Sequence, residues 1–209
     1  GLTWTFVSSL QDAAQPFFVD ALNGWYWGGY SYIGMFGYVL RTTDGGKTWN
    51  GSIVPANLED LYFITPLVGW ATSDGGVLKT IDGGITWTGQ GAAGASRIEF
   101  RNEKEGWAVG DGGVIWSTID GGATWQGYDS VTAASSVEAL QAVDGSTVYA
   151  VGVNSVRADY RMTRQDSFFM RSTASGGWQS FGFSSGYQPA LRGLDFIGAQ
   201  RGWIERGAY

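Results

Sequence analysis

Carboxylates are the first candidates for acid–base chemistry in this chain, because its 209 residues include no histidine and no cysteine. The same lack removes serine–histidine and cysteine–histidine nucleophiles, and thiolate or imidazole metal sites. The 19 acidic residues are mostly turn residues. Asp44, Asp82 and Asp120 head Asp-Gly-Gly runs, as do Asp74 and Asp111, and Asp144 precedes Gly145. Glu99, Glu103 and Glu105 gather beside Arg101 and Lys104, which reads as a solvated loop between strands. No two carboxylates stand out as an acid–base pair for glycoside chemistry, and no cofactor, metal or catalytic residue is expected.

Anion recognition is the other chemistry on offer. Residues 1–156 carry 6 Lys/Arg against 15 Asp/Glu, a net of −9, whereas residues 157–209 carry 7 Arg against 4 acids, a net of +3. Arg157, Arg161, Arg164 and Arg171 fall close together. They are candidate ligands for a partner's carboxylates, since guanidinium groups bind them through paired hydrogen bonds. Asp159 and Asp166 partly neutralise them, so a plain polar surface segment is the competing reading. A second candidate surface is the stretch from Trp25 to Tyr38, where Trp25, Trp27, Tyr30 and Tyr32 alternate with other residues. Aromatic rings of this kind serve docking platforms and inter-blade packing alike. With an overall net charge of −6 and no extended basic stripe, nucleic acid is not an expected partner.

These residues are positioned by a repeat. Thr43-Asp44-Gly45-Gly46-Lys47-Thr48-Trp49 recurs as Ile81-Asp82-Gly83-Gly84-Ile85-Thr86-Trp87 and as Ile119-Asp120-Gly121-Gly122-Ala123-Thr124-Trp125, with 38 residues between successive aspartates. A Gly-Trp pair precedes each copy: Gly24-Trp25, Gly69-Trp70 and Gly106-Trp107. Short apolar runs between Asp-Gly turns are hairpin chemistry. Four strands in about 40 residues is the size of one propeller blade. The expected fold is therefore an all-β propeller of four-stranded antiparallel blades, with about five repeats visible, in a single domain over residues 1–209. The blades are expected near 17–53, 58–90, 95–129 and 136–183, with an unfinished one at 190–209 and an outer strand at 1–10.

The fourth repeat is irregular. Its box has decayed to Ser172-Thr173-Ala174-Ser175-Gly176-Gly177-Trp178, and Trp125 to Trp178 spans 53 residues, an insertion of roughly 15 over the repeat length. The first repeat has 24 residues from Trp25 to Trp49, against 17 and 18 in the next two, so its hairpin is expected to protrude. Gly1-Leu2-Thr3-Trp4-Thr5 matches the tail of a box, and Gly202-Trp203 opens a last repeat. Pairing of the first and last strands would close a ring and remove exposed edges. The chain also reads as a segment of a longer propeller.

The boxes resemble the Asp box, S/T-x-D-x-G-x-T-W, of sialidase-type and related propellers. In that motif the carboxylate accepts hydrogen bonds within its own hairpin and the tryptophan packs between blades. The resemblance makes Asp44, Trp49, Asp82, Trp87, Asp120 and Trp125 structural. The longer pattern, from Gly-Trp-Ala through two Asp-Gly-Gly turns to Thr-Trp, is similar to the photosystem II stability and assembly factor family. That resemblance implies a non-catalytic scaffold in the periplasm or thylakoid lumen. It would bind protein subunits of a membrane complex from the extracytoplasmic side, without spanning the membrane. The alternative implied by Asp boxes is a fragment of a sialidase- or xyloglucanase-like hydrolase, or a carbohydrate-binding propeller. Arg97-Ile98-Glu99 stands where sialidases would show Arg-Ile-Pro, a motif found nowhere in the chain.

Overall fold

A computed structural model describes residues 16–31, 34–110, 112–128, 135–144, 147–158, 162–172, 178–182, 191–197 and 201–206. Among these there is no helix, and the strands form antiparallel sheets in chain order. Sheet A holds β1 (Phe17–Phe18), β2 (Gly24–Ser31), β3 (Gly34–Thr42) and β4 (Asn50–Val54). Sheet B holds β5 (Leu58–Phe63), β6 (Gly69–Ser73), β7 (Gly76–Thr80) and β8 (Thr88–Gly91). Sheet C holds β9 (Ala95–Phe100), β10 (Gly106–Gly110), β11 (Ile115–Thr118) and β12 (Gln126–Tyr128). Sheet D holds β13 (Ser135–Ala142), β14 (Val148–Ala158), β15 (Met162–Ser172) and β16 (Trp178–Gly182). Sheet E is a pair, β17 (Leu191–Phe196) and β18 (Gly202–Arg206).

The first strands of successive sheets lie side by side, β1 against β5, β5 against β9, β9 against β13 and β13 against β17. That is the inner ring of a propeller, with each blade running outward from it. The notional outer strand at residues 1–10 lies outside the described residues.

One short turn joins the first two strands of every blade, closed by matching backbone bonds. Val19, Ile64, Arg101, Val143 and Ile197 donate their N–H groups to Asn23, Val68, Glu105, Thr147 and Arg201. The turn fixes the register: Phe18 faces Gly24, Phe63 faces Gly69, Phe100 faces Gly106 and Phe196 faces Gly202. A Cβ on Gly69 would stand 2.5 Å from the Phe63 ring, and one on Gly106 2.5 Å from the Phe100 ring. Glycine is needed here for space rather than for its backbone freedom. Sheet D solves the same problem in reverse, setting Ala142 opposite Val148.

Hydrophobic clusters fill the gaps between sheets. Trp25, Val39 and Val54 meet Leu58, Leu61 and Phe63 between A and B. Trp70 and Val77 meet Ile98, Phe100 and Ala108 between B and C. Val109 and Ile115 meet Val137, Ala150 and Met170 between C and D. Each blade thus buries its face on the next, as packed sheet layers require.

Candidate functional site

The three repeat turns are built alike. Both glycines of each Asp-Gly-Gly run have positive φ, for example 80° at Gly83 and 93° at Gly84, which leaves the aspartate facing its own chain. Thr48, Thr86 and Thr124 each donate a backbone N–H to Oδ1 of the turn aspartate at 2.9 Å. Their hydroxyls donate to Oδ2 at 2.6–2.7 Å. The hydroxyls of Thr42, Thr80 and Thr118 donate to Oδ1 at 2.8 Å. The carboxylates are consequently held at about 2. Bonds from Thr48 and Thr42 do this at Asp44, and bonds from Thr124 and Thr118 at Asp120. At Asp82 burial opposes the shift but is outweighed by Thr86, Thr80 and Ile85. Such groups are spent on the fold and stay ionised. Trp49 and Trp87 close their own turns, donating indole N–H groups to Gly46 and Gly84 carbonyls at 3.0 and 3.1 Å. Trp87 and Trp125 also pack into the clusters between blades.

Blades are joined by the tryptophan of the Gly-Trp pair. Trp25 stacks on Phe63 of the next sheet at 3.6 Å and donates its indole N–H to the Gly83 carbonyl at 2.9 Å. Trp70 stacks on Phe100 at 3.5 Å and donates to the Gly121 carbonyl at 3.0 Å. Lys79 lies over the Trp70 ring and donates to the same carbonyl at 2.9 Å. At the D–E junction Tyr149 replaces tryptophan and stacks on Phe196 at 4.1 Å. The expectation that Trp25 serves a docking surface is thereby corrected: it is fully buried and spent on the neighbouring blade. Trp27 is half-buried against the same cluster.

Chemistry missed by the sequence reading sits on the inner strands. Asp60 of β5 accepts the Leu61 N–H at 2.9 Å on one oxygen and the Ile98 N–H of β9 at 2.9 Å on the other. Burial pushes its carboxyl up to about 6, against those bonds and Arg97. Glu99 of β9 is pushed up to about 7, first by burial, with the charge of Asp60 adding to the shift, while the Ala142 N–H bond opposes it. Glu99 therefore belongs to a half-buried strand position, correcting its assignment to a solvated loop. Glu103 and Glu105 do lie in the β9–β10 turn, where Glu105 pairs with Arg101. Gln141 repeats the theme on β13, accepting the Phe196 N–H at 2.7 Å and donating to the Phe196 carbonyl at 3.3 Å. No sequence signal marks Asp60 or Glu99, because the amides they accept lie on the following blade.

Two hairpins rise above the rest. β14 and β15 have 11 residues each and β2 and β3 have 8 and 9, against 5 each for β6 and β7 and 5 and 4 for β10 and β11. All four are the second-to-third-strand connections of their blades, so they leave the same end of the propeller. The insertion of the fourth blade thus lengthens a hairpin. Arg157 pairs with Thr163 and Arg164 with Val156, ladder positions of opposite parity. Arg171 lies lower on β15, exposed, opposite Tyr149. Arg161 and Tyr32 lie outside the described residues. Tyr30 is on β2, and its side chain, like those of Arg157 and Arg164, is outside them too. At the opposite end of the blades Leu22, Leu67, Ile81, Ile85 and Ile119 are exposed beside the repeat turns, a feature the sequence reading passed over.

No protein-family model matches the chain, and no curated protein does. Solved structures do. One is YCF48 bound to D1 peptide, at 20% identity and a TM-score of 0.59, covering 87% of this chain and 56% of that one. Another is the GH74 xyloglucanase from Xanthomonas campestris, at 15% identity and a TM-score of 0.60, covering 84% of this chain and 32% of that one. The chain thus spans about half the length of the first and a third of the second. The fold is that of a β-propeller of four-stranded antiparallel blades, resembling the photosystem II stability and assembly factors and shared with GH74 enzymes.

Proposed function

We propose that this chain is a non-catalytic propeller scaffold, an accessory or assembly subunit that docks a protein subunit of a membrane complex from the extracytoplasmic side. The observation that carries the reading is the saddle formed by the two tall hairpins, with two short ones between them on the same propeller end. One wall is rich in aromatic residues and glycine, and the other is the hairpin that carries Arg157 and Arg164 on its two opposite faces. A segment of partner chain with acidic residues fits such a saddle, with the guanidinium group of the arginine on the saddle-facing side of the hairpin on its carboxylates. YCF48, whose fold is similar, is found bound to a peptide. The turn aspartates and both oxygens of Asp60 are engaged in backbone or threonine bonds, which suits a scaffold better than an acid–base centre.

The test is recovery of the chain with one defined complex from membranes solubilised in mild detergent. The reading expects that recovery to be lost on replacing Arg157, Arg161 and Arg164 by Ala. Recovery that is unchanged by the triple replacement sinks the placement of the site.

A second reading is favoured by one observation, the raised carboxyl groups of Asp60 and Glu99 on adjacent inner strands. A hydrolase of the kind found among GH74 propellers would use two such groups. Release of reducing sugar from xyloglucan, abolished by Glu99→Gln, would favour that reading over the scaffold.

A further inference from the structure

The end of the propeller that carries the repeat turns presents aliphatic side chains to solvent. In sheets A, B and C the turn after the first strand is tied to the box turn of the same sheet. The Gly45 N–H donates to the Leu22 carbonyl at 3.0 Å, Gly83 to Leu67 at 2.9 Å and Gly121 to Lys104 at 2.8 Å. On sheet B this sets the Leu67 turn beside Ile81 and Ile85, which flank the Asp82-Gly83-Gly84 run. These three are 52%, 70% and 64% exposed, and Leu22 and Ile119 on the neighbouring sheets are 56% and 79% exposed. The Ile85 amide donates to Asp82 at 3.0 Å, which fixes the turn while its side chain stays in water. Sheets B and C each have a sheet packed on both sides, so Leu67, Ile81, Ile85 and Ile119 are exposed with their flanking blades in place.

We propose that this end is a lipid-binding face that rests on a membrane of zwitterionic headgroups, its leucines and isoleucines entering the acyl boundary. Exposed aliphatic clusters mark protein or membrane contacts, and the residue types decide between them. Protein hot spots lean on Trp, Tyr and Arg, with Leu under-represented, whereas these five tips are Ile and Leu throughout. They are also separate points on turns, which a fluid acyl layer takes up without a matching pocket. Charge selects the headgroup. Lys47 and Lys104 are exposed among the tips and reach phosphates along their flexible stems. Asp20, Glu103 and Asp120 are exposed there with the opposite sign. A headgroup that carries both charges satisfies both sets, whereas an anionic surface or a second copy would set carboxylates against like charge. The hairpin saddle lies at the other end of the blades, so the two contacts do not compete.

Flotation of the full chain with protein-free phosphatidylcholine vesicles tests this. The chain is expected to rise with the vesicles, and replacing Ile81, Ile85 and Ile119 together by Ser is expected to weaken partitioning about tenfold or more. Phosphatidylglycerol vesicles are expected to bind it less well. All three side chains are exposed, so the variant is expected to fold, which circular dichroism checks. A second readout needs no loss of the tips. The chain has no native cysteine, so Ile85→Cys takes a single environment-sensitive fluorophore. Its emission should shift to the blue on vesicles, whereas the same label at Ile53→Cys, 77% exposed on β4, should not shift. A chain that stays in the buffer overturns the proposal, as does binding that survives the triple replacement or prefers phosphatidylglycerol. A blue shift at Ile53 without one at Ile85 overturns it as well. The vesicles hold no protein, so none of these outcomes bears on docking between the hairpins.

Discussion

Two populations of carboxylates pull stability in opposite directions with pH. Asp44, Asp82 and Asp120 sit at about 2, below their ordinary 3.8, so their contribution is present above about 4 and fades as pH falls through 2. Asp60 and Glu99 are raised to about 6 and 7 from 3.8 and 4.5. Their contribution is full below about 4 and is lost as pH rises through 6 to 7, because the folded state then has to hold buried charge. The urea midpoint is therefore expected to be higher at pH 5 than at pH 8. Glu99→Gln is expected to flatten that slope and stabilise the chain at pH 8 by about 1–3 kcal/mol, at about 1.4 kcal/mol per pKa unit. The amide can still accept the Ala142 N–H, as Gln141 accepts that of Phe196. A midpoint that does not change between pH 5 and 8 refutes the burial of these groups. The staple gives a second contrast. Trp70→Phe should cost about 1 kcal/mol, since Lys79 still donates to the Gly121 carbonyl. Trp25→Phe should cost more, because no second donor among the described residues serves the Gly83 carbonyl. Paired denaturant titrations decide between these orders. The turn aspartates were legible in the sequence because their partners lie within four residues. Asp60 was not, since the Ile98 amide it accepts is 38 residues away.

A blade depends on the phenylalanine that lies across a glycine. Phe63 is held from one side by Trp25 at 3.6 Å and edge-on by Trp87 at 6.1 Å, so it cannot yield to a new methyl group on Gly69. Gly69→Ala is expected to cost about 1–3 kcal/mol through overpacking, measured as a lower denaturation midpoint. Gly89→Ala on β8, where a Cβ meets nothing within 4 Å, is the matched control and should change little. Equal effects at the two glycines would contradict the packing account. The Gly-Trp signature was legible in three blades because it is this steric device. It failed in the fourth, where Ala142 and Val148 exchange large and small residues and Tyr149 takes the tryptophan's place. The long hairpin of that blade was legible as extra length, and the alternation of Arg157, Asp159 and Arg161 as a strand face, but the residues paired across it were not. The register, with Val156 opposite Arg164, is set by cross-strand contacts that no local spacing shows.

At the scale of the molecule, repetition settles the architecture, and the docking proposal rests on the departures from it. Three blades share one turn and one register, and two of them one staple, so the period announced the propeller without any view of the core. What periodicity could not announce is which end of the blades meets a partner. The tall β2–β3 and β14–β15 hairpins mark one end, and the exposed Ile81, Ile85 and Ile119 mark the other. The docking account places the partner between the hairpins. Its most direct test is photo-cross-linking in native membranes, with a photoreactive side chain placed in turn at Tyr38, Arg157 and Ile85. The account predicts one shared cross-linked subunit from Tyr38 and Arg157 and none from Ile85. Cross-links from Ile85 alone would contradict it and move the docking face to the turn end of the propeller.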